Sequence, residues 1–171
     1  MAEDAVDRIT AQWARERPEL DVGPMTVIGR ISRLAELLDR RLRPVFTEVG
    51  LGNGDFDVLA SLRRSGEPFR LTPTELSASM MVTSGAVTKR VDRLEREGLV
   101  ERTVSDADAR GRVIALTPKG RTLVERVHPL HLANEDGLLD ALDAGERTQL
   151  AGLLRKLLVS LDDLAPWRDS P

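Results

Sequence analysis

The stretch Thr72-Pro73-Thr74-Glu75-Leu76-Ser77-Ala78-Ser79-Met80-Met81-Val82-Thr83-Ser84-Gly85-Ala86-Val87-Thr88-Lys89-Arg90-Val91-Asp92-Arg93-Leu94-Glu95-Arg96-Glu97-Gly98-Leu99-Val100 carries two helix starts and a strand start within thirty residues. Thr72 and Glu75 form a capping box: the hydroxyl accepts from the amide three residues on, and the carboxylate reaches back. Pro73 stands at the first helical position, where its missing N–H costs nothing. This predicts a short helix ending near Met80 or Met81. Thr83 or Ser84 can cap a second helix running through Val87, Val91 and Leu94 to Glu97-Gly98. Residues 99–104 and 112–116 are strand-like and flank a polar segment ending in Gly111, which predicts a β-hairpin directly after the helix pair.

Upstream, Phe56, Leu59 and Leu62 line one face of a predicted helix over 55–64, preceded by the break Gly50-Leu51-Gly52-Asn53-Gly54. Before that, Ile28, Ile31, Leu34, Leu38, Leu42 and Val45 form a long helical stripe, interrupted only by Pro44 near its end. Pro18 to Pro24 reads as a linker, and Val6, Ile9 and Trp13 mark an amphipathic helix over 4–17. Downstream, Thr117-Pro118 restarts a helix. Asp143-Ala144-Gly145-Glu146 is another capping box, opening a last helix with Leu150, Leu153, Leu154, Leu157, Leu158 and Leu161. The expected class is mainly α with a small β-wing. Residues 1–24 form an extension helix and linker, 25–49 and 117–164 dimerisation helices, and 50–116 the winged region. The two leucine-rich stripes would leave a monomer with a large apolar patch, so a homodimer clasped by its N- and C-terminal helices is expected.

The 171 residues are 41% hydrophobic and 31% charged, a globular composition. Cysteine is absent, which excludes disulfides, thiolate metal sites and cysteine nucleophiles. The chain shows no membrane-length apolar run and starts with acidic Met1-Ala2-Glu3-Asp4, so a soluble cytoplasmic protein without a membrane partner is expected. The net charge of −3 is uneven: residues 25–133 carry eighteen basic and fourteen acidic groups, between two acidic ends. No nucleophile motif or phosphate-cradling glycine loop is present, so neither catalysis nor a cofactor is expected. His128 and His131 lie near Glu125 on one predicted helix; two such histidines are more often surface or interface groups than metal ligands, and no metal is assigned.

The outer face of the second helix carries Ser84, Gly85, Thr88, Lys89 and Arg93. Small and basic groups of this kind suit a helix that approaches base edges in the major groove of double-stranded DNA. Arg110, beside Gly111 at the hairpin tip, can enter a minor groove with its guanidinium oriented by Asp108.

Residues 88–100, followed by Asp108-Ala109-Arg110-Gly111 and Leu116-Thr117-Pro118-Lys119-Gly120, resemble the MarR family of winged helix-turn-helix transcriptional regulators. The resemblance spans about residues 25–163 and implies a homodimer that binds pseudo-palindromic operator DNA, most simply as a repressor. The wing lacks the common double arginine at Ala109-Arg110. A narrower resemblance is to a urate-responsive branch of that family, whose ligand and relay residues match Trp13, Asp57, Arg90 and Arg102. Trp13 and Arg90 supply an aromatic surface and guanidinium donors suited to urate or a xanthine-like anionic purine. If Asp57 pairs with Arg90 in the empty protein, an anion competing for that arginine must disturb the reading helix. The alternatives are a regulator of this kind sensing another anion, such as an aromatic acid or a tricarboxylate, and a ligand-independent architectural DNA-binding protein.

Overall fold

The structure, a computed structural model, describes residues 2–52, 54–80, 87–104 and 112–161. The chain divides into two compact units, residues 1–44 and 45–171.

The first unit holds α1 (Ala5–Glu16) and most of α2 (Gly23–Thr47). Asp4 caps α1, accepting from the amides of Val6 at 2.7 Å and Asp7 at 3.0 Å, while the Asp7 carboxylate accepts from the Asp4 amide at 3.0 Å. Helix α2 passes through Pro44 near its C-terminal end, where the ring removes one backbone hydrogen bond and crowds the carbonyl of Arg40. None of its 25 residues is buried, and Met25, Val27, Ile28, Ile31, Leu34 and Leu37 all stand exposed.

The second unit is built around α3 (Asp55–Arg64), whose Val58, Leu59 and Leu62 are wholly enclosed. Packed with them are Leu76 of α4 (Pro73–Ser79), Val87, Val91 and Leu94 of α5 (Val87–Arg96), and Val124 and Val127 of α6 (Pro118–Leu138). The Thr72 capping box forms as its sequence requires: the Glu75 amide donates to the hydroxyl at 3.2 Å and the Thr72 amide to the Glu75 carboxylate at 2.8 Å. The hairpin pairs β2 (Val100–Val104) with β3 (Arg112–Leu116), antiparallel from Val100 opposite Leu116 to Val104 opposite Arg112. A further strand, β1 (Arg70–Leu71), joins the other edge of β3 to give the order β1-β3-β2. Two residues are too few to show a period, which is why the sequence pattern does not reveal it.

The end of α5 is sealed by the start of α6. Lys119 Nζ donates to the Glu97 carbonyl at 2.7 Å, and the Thr117 hydroxyl lies 2.8 Å from the Gly98 carbonyl and 3.1 Å from that of Leu99. Carbonyls in the last turn of α5 accept from the amides of Glu97, Gly98 and Leu99, and the carbonyls of those three residues take their partners from Thr117 and Lys119. After α6, α7 (Ala144–Ser160) starts on the Asp143–Glu146 capping box and has no buried residue; Leu153, Leu154, Leu157 and Leu158 are exposed.

Candidate DNA-reading helix and anion site

Helix α5 has three faces. Val87, Val91 and Leu94 enter the core. Thr88, Lys89, Asp92 and Arg96 lie outward and exposed, and Arg90, Arg93 and Glu97 turn toward the Gly50–Asp55 segment. Among the described residues Lys89 has no ion pair. The acids of α5 are paired within the chain: Arg102 of β2 pairs with Asp92 and Glu95, and Arg93 binds Glu97 at 3.0 Å. The hydrogen bond it donates to Asp92 leads the interactions that hold the Arg102 guanidinium above its ordinary range. The outward face is thereby left cationic, with Arg96 a basic group that the sequence pattern passed over.

Arg93, expected from sequence in the major groove, has its guanidinium engaged behind the helix. It donates to the Gly50 carbonyl at 2.6 Å and lies 3.2 Å from the Asp55 carboxylate. The spacing explains this: residues 90, 93 and 97 fall on one side of a helix, a quarter-turn from the outward stripe. Asp55, only 2% exposed, also accepts from the Gly52 amide at 2.7 Å. A buried carboxylate holding a loop amide and a helix guanidinium is a positioning residue that the sequence did not single out. Asp55→Ala is expected to cost about 1–3 kcal/mol, because it strands both donors, and a urea titration would show it as a lowered midpoint.

Two glycines make room for the guanidiniums. A Cβ on Gly52 would lie 2.0 Å from an Arg93 terminal nitrogen, and one on Gly54 2.1 Å from the Arg90 Cζ. Gly54 also has φ +77°, a left-handed conformation that costs other residues energy. One terminal nitrogen of Arg90 is buried and has no hydrogen-bond partner among the described residues. Asp57 sits in the first turn of α3, whose N-cap is Gly54, so the fold brings it to the same helix end as Arg90. The two form no ion pair in this structure. Gly54, as N-cap, has no side chain to cap α3, and among the described residues no other side chain does so. A guanidinium nitrogen without a partner among the described residues, beside the N-terminus of a helix that starts on glycine, favours negative charge on both counts.

Asp57, Arg90 and Arg102 belong to the second unit and Trp13, 44% exposed, to the first. Ser84, Gly85, Asp108 and Arg110 lie outside the described residues. His131 packs on Phe46 and Phe56, with ring centroids 5.0 and 5.3 Å away, and its Nε2 is 3.2 Å from Glu135. Among the described residues no three histidine or acidic side chains gather as a metal site, and no helix is long and apolar enough to cross a membrane.

Residues 49–111 match the sequence profile of the MarR family. Over 152 residues the chain is 40% identical to the HTH-type transcriptional regulator PecS of Dickeya dadantii (strain 3937), covering 89% of this chain and 92% of that protein. It is 33% identical over 135 residues to the multiple antibiotic resistance protein MarR of Escherichia coli (strain K12), covering 77% of this chain and 90% of the relative. The chain belongs to the MarR family. A solved mutant of MarR from E. coli, complexed with operator DNA, superposes on this MarR-family chain with a TM-score of 0.69 at 31% identity, over 81% of this chain and 99% of that one. The chain is thus a ligand-responsive DNA-binding transcriptional regulator of MarR type, with a winged helix-turn-helix fold. The bare apolar faces of α2 and α7 are those expected of a homodimer.

Proposed function

We propose that this MarR-family regulator is a repressor released from its operator by an anionic purine, urate first, bound with Trp13, Asp57, Arg90 and Arg102. The observation that carries this reading is the buried nitrogen of Arg90, without a partner among the described residues, on the reading helix itself. Urate offers carbonyl and ring-nitrogen acceptors to such a guanidinium and a flat face to Trp13. An anion seated on Arg90 competes with the packing of that side chain against Gly54. It thereby acts on the placement of α5, and repels the Asp57 carboxylate at the same helix end. Arg102, tied to Asp92 and Glu95, carries any shift of β2 to α5. The 40% identity to PecS, most of whose length the chain covers, supports the comparison.

On the DNA side, Ser84, Gly85, Thr88 and Lys89 enter the major groove and Arg96 touches phosphate. Arg93 supports that face from behind, and Arg110, oriented by Asp108, takes the minor groove. Residues 25–49 and 117–164 form the dimer, with 50–116 as the winged region and 1–24 as the extension that brings Trp13. The solved complex of a 31% identical MarR with operator DNA supports this assignment.

Calorimetric titration of the dimer with urate tests the ligand. Trp13→Phe is expected to weaken urate binding while sparing operator affinity. Asp57→Asn is expected to retain ligand binding with a smaller effect on DNA. Equal urate affinity in wild type and Trp13→Phe would remove the aromatic contact, and release by an aromatic acid but not by purines would replace the ligand class.

A further inference from the structure

We propose that Arg30 is a clasp that fixes the N-terminal helix, and Trp13 with it, against α2. Its functional half, a role in ligand binding, rests on the purine-released reading of this regulator.

All three guanidinium nitrogens of Arg30 are used. Nε donates to Asp4 at 2.8 Å, one terminal nitrogen to Asp7 at 2.6 Å, and the other to the Thr26 carbonyl at 2.9 Å. The two acids are also the capping box of α1, so the start of the helix and its attachment form one unit. The Asp7 amide, with Arg30 adding to it against desolvation, holds the Asp4 carboxyl below its ordinary range, so this partner stays charged at neutral pH. Between the acids lies Val6, the one buried residue of α1. It rests on Gly29, the neighbour of Arg30, where a Cβ would stand 3.3 Å from the valine Cγ1. A glycine is what lets the helices approach so closely.

Trp13 lies two helical turns from Val6 on the same stripe, about 10 Å along the axis. At its other end α1 is joined to α2 through the covalent linker: the Arg17 amide closes the last turn of α1 on the Trp13 carbonyl at 2.8 Å, and the Gly23 amide turns back on Asp21 at 2.8 Å where α2 starts. The helix is therefore tied by the linker at one end and by the clasp at the other. Exposed ion pairs usually contribute little because the two side chains have many other positions. Here a planar fork meets two carboxylates and a carbonyl that helix geometry already fixes, and α1 buries only one side chain to take over if they are removed. Without the clasp the helix swings on its linker, and the fraction of molecules presenting Trp13 correctly falls.

The test uses the full-length dimer with Trp167→Phe, leaving Trp13 as the remaining one of two tryptophans. Two variants are compared with this background: Arg30→Ala, and Asp4→Asn with Asp7→Asn, which keeps side chains able to cap a helix and removes only the charges. In both, Trp13 fluorescence anisotropy is expected to fall and operator affinity to stay unchanged. Urate affinity is expected to drop about tenfold if the docked helix becomes a one-in-ten state. Arg30→Lys, one donor group without the fork, is expected to fall between. Unchanged anisotropy in both variants overturns the clasp, as does a loss of urate affinity with anisotropy intact, which would make Arg30 a ligand contact. If the background protein binds no purine, the ligand reading fails and anisotropy alone decides the clasp.

Discussion

Raising salt from about 50 to about 200 mM is expected to weaken operator binding roughly 10³- to 10⁵-fold, for a dimer that neutralises about 6–10 phosphates. The formal net charge of −3 gives the chain no overall attraction to DNA. Affinity must come from local cations, and α5 shows how these are prepared: Arg102 and Arg93 pair with Asp92, Glu95 and Glu97, and the outward face presents Lys89 and Arg96. Each phosphate neutralised releases a condensed counterion, so the logarithm of affinity falls linearly with that of salt. A titration at four or five salt concentrations reads the slope. A slope near zero would show that α5 and the wing do not lie on the phosphate backbone. Arg96→Ala should reduce the slope by about one for each phosphate left without its cation.

The second large effect is expected from Gly120→Ala: a loss of about 3 kcal/mol and, at this chain length, about 6–12 °C in Tm. A Cβ there would lie 2.0 Å from the Leu99 carbonyl oxygen and 3.0 Å from Leu116 Cδ1. The first of these is backbone and cannot rotate away. Relief requires moving the start of α6 off the end of α5, which also pulls Thr117 and Lys119 from the Gly98 and Glu97 carbonyls. Operator affinity should fall with stability, because the reading helix loses its seal. Gly137→Ala is the control: nothing lies within 4 Å of a Cβ there, so that change should be neutral or stabilising by a few tenths of a kcal/mol. Equal melting temperatures for the two variants would contradict the packing described at the α5–α6 junction.

Most of the fold was legible because its signals are local. The Thr72–Glu75 and Asp143–Glu146 boxes state a helix start in four residues, and Val87, Val91 and Leu94 state which side of α5 is buried. Strand β1 was not legible, since its existence depends on an edge of β3 distant in sequence. The candidate site divided in the same way. Thr88 and Lys89 stand out as small and basic groups on an outer face, and the structure leaves both exposed. Arg93 shares their residue type, but its helical position turns it toward Gly50 and Asp55, partners some forty residues away that no periodicity displays. Asp55 escaped notice for the same reason: a buried acid in a first helical turn looks like an ordinary dipole partner until its guanidinium is in place. Arg30 carries no motif at all, and its three partners emerge only once α1 lies on α2.

One measurement bears most directly on the central claim that this MarR-family chain is a purine-released repressor: titration of operator DNA with wild-type dimer, with and without saturating urate, at fixed salt. A coupling of about 1–3 kcal/mol predicts operator affinity roughly 5- to 150-fold weaker with urate, and less weakened for Asp57→Asn. Superimposable titrations with and without urate, for a dimer that binds its operator tightly, would contradict it.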